Sequence, residues 1–151
     1  MEPNNDLVEA IPVLREWPKM PSRLAQSLRA FTPLAKRTRL LFVGPRGTGK
    51  SRAAAILAGD LEAPLFRIDL SAVISKYIGE TEKNLGDLVR QVDQDGPTVL
   101  LLTHGEALEE IQMTVHDLLQ KVGWFPGSVI VAMEGTAPEA PGGWTGIVKF
   151  A

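Results

Sequence analysis

Leu40-Leu-Phe-Val-Gly44-Pro-Arg-Gly-Thr-Gly-Lys50-Ser51 joins a short apolar run to a glycine-rich turn that opens a helical pattern. The last eight residues fit G-x-x-x-x-G-K-[ST], the Walker A phosphate loop, at every fixed position. A phosphate chain needs many hydrogen-bond donors around it and no side chains in the way. Glycines at 44, 47 and 49 let main-chain N–H groups turn inward as an anion nest. The helix expected from Lys50 aims the positive end of its dipole at the same point. Lys50 adds a mobile full charge, and the Ser51 hydroxyl suits a magnesium ion. The candidate phosphate-binding set is therefore Gly44, Pro45, Arg46, Gly47, Thr48, Gly49, Lys50 and Ser51.

Working outward, short apolar runs alternate with helical patterns. The runs are 39–43, 65–69, 98–103, 128–133 and 146–150. They are continuous rather than alternating, as in strands buried on both faces. Helices are expected over 50–61, 81–94 and 106–122, each with apolar residues on one stripe. This alternation implies an α/β fold with a parallel sheet, helices on both sides, and a ligand site beyond the carboxyl ends of the strands. Residues 135–146 read as a loop. At the front, Pro3, Pro12, Pro18 and Pro21 forbid a long helix. Leu7, Val8, Ile11, Leu14 and Trp17 nevertheless make residues 1–21 an arm that packs on something. The nucleotide-binding unit would then be 22–151, beginning with a helix capped by Ser22.

Composition narrows the class. The chain has 151 residues, a formal net charge of −2 and no cysteine, which removes disulfide scaffolds and Cys-based metal sites. No apolar run exceeds six residues, far short of the roughly 20 residues of a membrane helix. The N-terminus lacks the basic and apolar halves of a signal peptide, so a cytoplasmic protein without membrane insertion is expected. Residues 15–52 hold ten Lys/Arg and one acid, whereas 53–151 hold six bases and fourteen acids. The basic part suits phosphates, and the charge split suits head-to-tail contacts between neighbours. No aromatics are interleaved with these bases, which argues against a nucleic-acid groove. His104 and His116 lack acidic companions at ligand spacing, so a transition-metal site is not expected.

Beyond the phosphate loop come Leu65-Phe-Arg-Ile-Asp-Leu-Ser71, Ser75-Lys-Tyr-Ile-Gly-Glu-Thr-Glu-Lys-Asn-Leu85 and Val99-Leu-Leu-Leu102. In this order they resemble the core of the AAA (AAA+) ATPases, ring-forming motors that remodel proteins. The resemblance runs from about Arg39 to Phe150. Ser75–Leu85 sets the chain apart from P-loop GTPases, whose Asn-Lys-x-Asp motif is also missing. The resemblance implies a P-loop NTPase-type three-layer sandwich, with a five-stranded parallel sheet in the order 5-1-4-3-2. It also implies ATP and Mg²⁺ as cofactors, and ring neighbours that are copies of this chain or of other subunits. A protein substrate would be gripped by a pore loop at Lys76, Tyr77, Ile78 and Gly79, with Tyr77 pointing into the channel.

Four departures from the family pattern bear on hydrolysis. After Leu102 the family places Asp-Glu, to orient magnesium and polarise the attacking water. This chain has Thr103-His104. Thr103 can hold only a metal-bound water, and His104 and Glu106 are the substitute water-activating candidates. Loss of a general base typically lowers the rate by about 10²–10⁴. After the fourth strand, Glu134 stands where the family has a water-holding Asn. Its charge facing a terminal phosphate is unfavourable unless a cation intervenes. The linker 135–146 contains no Arg or Lys, whereas the family presents arginines there, an effect worth about 10³–10⁵ in related systems. The chain also ends at Ala151, where the helical lid would begin. Together these imply an ATP-binding assembly or remodelling subunit whose hydrolysis is weak or lost. The alternatives are an active ATPase using unconventional groups, and an interaction module with a vestigial phosphate loop.

Overall fold

The computed structural model describes residues 6–92, 96–136 and 142–151. Strands β1 (Val8–Ile11), β2 (Arg39–Val43), β3 (Leu65–Asp69), β4 (Val99–Thr103), β5 (Ser128–Met133) and β6 (Gly146–Lys149) form one sheet in the order β1-β3-β4-β5-β2-β6. The five strands β2 to β6 are mutually parallel wherever they pair, and they give the expected 5-1-4-3-2 arrangement.

The sheet has six strands rather than five, because Val8–Ile11 of the Pro-rich arm adds an antiparallel edge to β3. Four residues ahead of Pro12 were too short a run to read as a strand. Past Pro12 the arm crosses α2 (Lys50–Asp60), where Leu14 N–H donates to the Ala55 carbonyl at 3.1 Å. A β-carbon on Gly59 would come 1.8 Å from the Leu14 carbonyl oxygen, so the crossing needs glycine there.

Alternate strand residues face opposite layers. Leu41 and Val43 join a core against α3 (Leu70–Lys76), α4 (Thr81–Gln91) and α5 (Val115–Val122). Leu40 and Phe42 join a second core against α1 (Ser22–Arg29), α2 and the arm. Strands β2 and β4 are buried along their whole length, as the continuous apolar runs required. At the start of β2 the buried Arg39 guanidinium is satisfied by carbonyls alone, including those of Phe125 at 2.6 Å and Gly127 at 2.7 Å.

Two elements differ from expectation. The helix expected over 106–122 is split into a 3-10 helix (Gly105–Ile111) and α5. Gln112 takes a left-handed conformation, which ends the first piece, and Thr114 caps the second. Ser22 is the first residue of α1 rather than its cap, and Pro21 occupies the cap position. Residues 93–94 of the expected helix 81–94, residues 137–141 of the expected loop and Pro3 lie outside the described residues. Among the described residues, no helix is long and apolar enough to cross a membrane.

Candidate functional site: a phosphate loop and four strand ends

Because β2 to β5 are parallel, their carboxyl ends meet at one edge of the sheet. The cavity at this edge has a volume of about 570 Å³. Its lining includes Gly47, Lys50, Ser51, Thr103, His104 and Glu134.

The phosphate loop leaves β2 at Gly44, where a β-carbon would come 2.4 Å from the Phe150 carbonyl oxygen. Gly47 and Gly49 take φ values of 80° and 94°, a region that favours glycine, with open space where a side chain would stand. Gly49 is the cap residue from which α2 starts. The Thr48 hydroxyl donates to the Pro45 carbonyl at 2.7 Å and holds the turn. Lys50 Nζ donates to the carbonyls of Gly44 and Pro45, the latter at 2.7 Å. Burial pushes the Lys50 pKa below its ordinary value, while the charges of Glu134 and Glu106 pull the other way. Ser51 is exposed, so its hydroxyl is open to a ligand.

The end of β4 is different. Thr103 is buried, and His104 sits in a left-handed conformation with φ 59°. A non-glycine residue there is strained, and such strain collects at functional positions. His104 Nδ1 lies 2.8 Å from Asp69 Oδ1. Asp69 ends β3 directly beside Thr103 in the ladder. The same Asp69 oxygen accepts from the Ser71 N–H at 2.9 Å and the Ser71 hydroxyl at 2.6 Å. Burial opposes ionisation of Asp69, yet the Ser71 hydrogen bonds and His104 outweigh it and hold the carboxyl below its usual range. Glu106 turns inward from the 3-10 helix, and its Oε1 accepts the Glu134 N–H at 2.9 Å. Arg46 Nε stands 4.0 Å from Glu134 Oε1.

Sequence reasoning missed Asp69 as the partner of His104, and the pairing of Arg46 with Glu134. Neither contact has a signal at sequence level, since both depend on which strands are neighbours. It also missed the cavity wall supplied by Pro18, Lys19, Met20, Pro21 and Leu24.

Lys76, Tyr77, Ile78 and Gly79, the residues of the expected pore loop, lie apart, at the end of α3. Tyr77 caps that helix and is half-buried against the first core. Its carbonyl accepts the Glu80 N–H at 2.9 Å and the Thr81 hydroxyl at 3.2 Å. Ile78 beside it is 84% exposed, and Gly79 has φ 81°. Among the described residues, no three His, Asp or Glu side chains group as a metal site.

The family model for AAA, the ATPase family associated with various cellular activities, matches residues 40–141. The chain belongs to the AAA family. It is similar to an uncharacterized AAA family ATPase of Sinorhizobium fredii, 48% identical over 52 residues, which is 34% of this chain and 16% of that protein. It is also similar to an ATP-dependent zinc metalloprotease FtsH of Methylococcus capsulatus, 30% identical over 145 residues, which is 87% of this chain and 21% of that protein. The chain thus spans about a fifth of these relatives' lengths. The AAA domain of FIGL-1, solved in complex with ADP, superposes with a TM-score of 0.72. That match is 21% identical and covers 99% of this chain and 59% of that one, a likeness of fold.

Proposed function

We propose that this AAA domain binds ATP with Mg²⁺ on its phosphate loop, hydrolyses it weakly or not at all, and serves as an assembly or remodelling subunit beside AAA neighbours. One contrast carries this reading. The main-chain cradle from Gly44 to Ser51 is complete, while position 103, beside it in the same cavity, has a hydroxyl in place of a carboxylate.

The residues fit a triphosphate. Gly47 and Gly49 take the left-handed conformations that bend the main chain through the loop, and Lys50 is held by two carbonyls that a phosphate would replace as partners. Ser51 would hold Mg²⁺, with Thr103 contributing through a water. The bound metal would neutralise phosphate charge. Lys50 would then orient the terminal phosphates, and the dipole of α2 would add to the binding. No carboxylate on β4 is present to orient an attacking water, and on this basis turnover is slow.

The Asp69–His104 contact favours a second reading. With Nδ1–H turned to Asp69, the other ring nitrogen of His104 is free to accept a proton, as an unconventional base in a working ATPase. Calorimetry with ATP and Mg²⁺, alongside phosphate release at saturating ATP, separates the two. The first reading expects saturable heat and release near background. Release well above background and abolished by Lys50→Ala would establish the second. Absence of any saturable heat would leave a vestigial loop.

A further inference from the structure

Glu134 is the awkward group in this pocket. It directly follows the last residue of β5 and lines the same cavity as Arg46, Lys50 and Thr103, so it shares the space that the terminal phosphates would enter. Glu106 is already engaged, because its Oε1 accepts the Glu134 N–H. The Glu134 carboxylate itself faces the Arg46 guanidinium at 4.0 Å. Arg46 is the third residue of the phosphate loop, and its side chain is 83% exposed.

An ion pair this long and this exposed is weak. The guanidinium can therefore leave Glu134 for a stronger anion. A phosphate oxygen is one, because the planar fork of Arg matches it in geometry as well as charge. The geometry points to Arg46 as a terminal-phosphate ligand acting from within its own chain, parked on Glu134 and interposed between that carboxylate and the incoming charge. The site would thereby select a nucleoside triphosphate over a diphosphate. A diphosphate leaves Arg46 on Glu134. A triphosphate brings a further negative group toward Glu134, and the pocket tolerates it only with Arg46 between them. This inference rests on the proposed nucleotide binding.

Calorimetric titration of the full chain with ATP and with ADP, each with Mg²⁺, tests it. Arg46→Ala is expected to weaken ATP about tenfold or more and ADP about twofold or less. Arg46→Lys, which keeps the charge without the fork, should fall between. Arg46→Ala combined with Glu134→Gln should recover part of the ATP affinity, since the repulsion goes with the carboxylate while the lost contact to phosphate does not return. Equal weakening of ATP and ADP, no change in either, or no recovery in the double variant would overturn the assignment while leaving nucleotide binding intact. Absence of saturable binding in the unaltered chain would overturn both. Unliganded melting temperatures control for folding and should not move, because the Arg46 side chain projects into solvent.

Discussion

The carboxyl ends of β2 and β4 flank that of β5 at one edge of the sheet, yet they are made of different material. The β2 end is main chain: three glycines, two of them left-handed, and a helix that starts from the last of them. The β4 end is side chains: a buried threonine, a strained histidine tied to Asp69, and a 3-10 helix that carries Glu106 inward. Main-chain donors hold a polyanion by geometry, and only a few sequences can fold that way. Water activation and magnesium orientation depend on the identity of single side chains. One end can therefore keep its chemistry while its neighbour changes.

The largest expected effect comes from giving the β4 end the carboxylates it lacks. Thr103→Asp with His104→Glu should raise phosphate release about a hundredfold, toward the usual contribution of a general base. Lys50→Ala added to that pair should return release to background. A double variant that binds ATP but stays at background would show that Glu134 and the arginine-free linker limit turnover on their own. The difference between the two strand ends would then not be the deciding one.

Next in size is a change to the β2 end that leaves every charge in place. Gly44→Ala would push a β-carbon to 2.4 Å from the Phe150 carbonyl oxygen, which is main chain and has little room to move. Phe150 N–H also donates to the Val43 carbonyl at 2.7 Å, so β6 and the loop would have to shift together. A stability loss of about 1–3 kcal/mol is expected from such overpacking, read by denaturant unfolding. Nucleotide affinity should fall with it. A variant as stable as the parent would mean that the loop's shape is not set by its contact with β6.

How far the sequence could be read follows the same division. Strands β2 to β5 were legible because burial on both faces writes itself as unbroken apolar runs, such as Arg39–Val43 and Val99–Thr103. The turn after β2 was legible because its left-handed positions at Gly47 and Gly49 favour glycine. Strand β1 was hidden, since Val8–Ile11 has no apolar run and joins the sheet only through pairing with β3. The short α3 was also missed, because its start is set by the Asp69 carboxylate accepting from Ser71, a local contact in a segment that reads as strand followed by loop. The Asp69–His104 contact joins residues 35 positions apart, brought together by the β3–β4 register. Periodicity on one element says nothing about such a meeting. The break at Gln112 went unseen because the apolar stripe from Leu108 to Val122 continues across it.

That break offers the smallest effect, and it sharpens the contrast between the two exits. The chain leaving β2 passes through the glycine loop into one continuous helix, α2, whereas the chain leaving β4 must start a helix a second time. It does so at a capping box, in which the Thr114 hydroxyl accepts the Asp117 N–H and Asp117 Oδ2 accepts the Thr114 N–H, both at 3.0 Å. Thr114→Ala should destabilise the fold by about 1 kcal/mol, the usual worth of such a cap. Asp117→Asn should show a smaller loss that depends on pH. The Thr114 main-chain N–H, followed by its side chain, holds the Asp117 carboxyl below its ordinary value. A carboxyl lowered on folding stabilises the protein fully above its unfolded pKa of about 3.9, and that contribution disappears as pH falls through the lower folded value. Melting curves of the parent and Asp117→Asn should therefore differ at neutral pH and converge in acid. Curves that stay equally separated at every pH would place the effect in shape rather than charge, and would leave Thr114 alone to restart the helix.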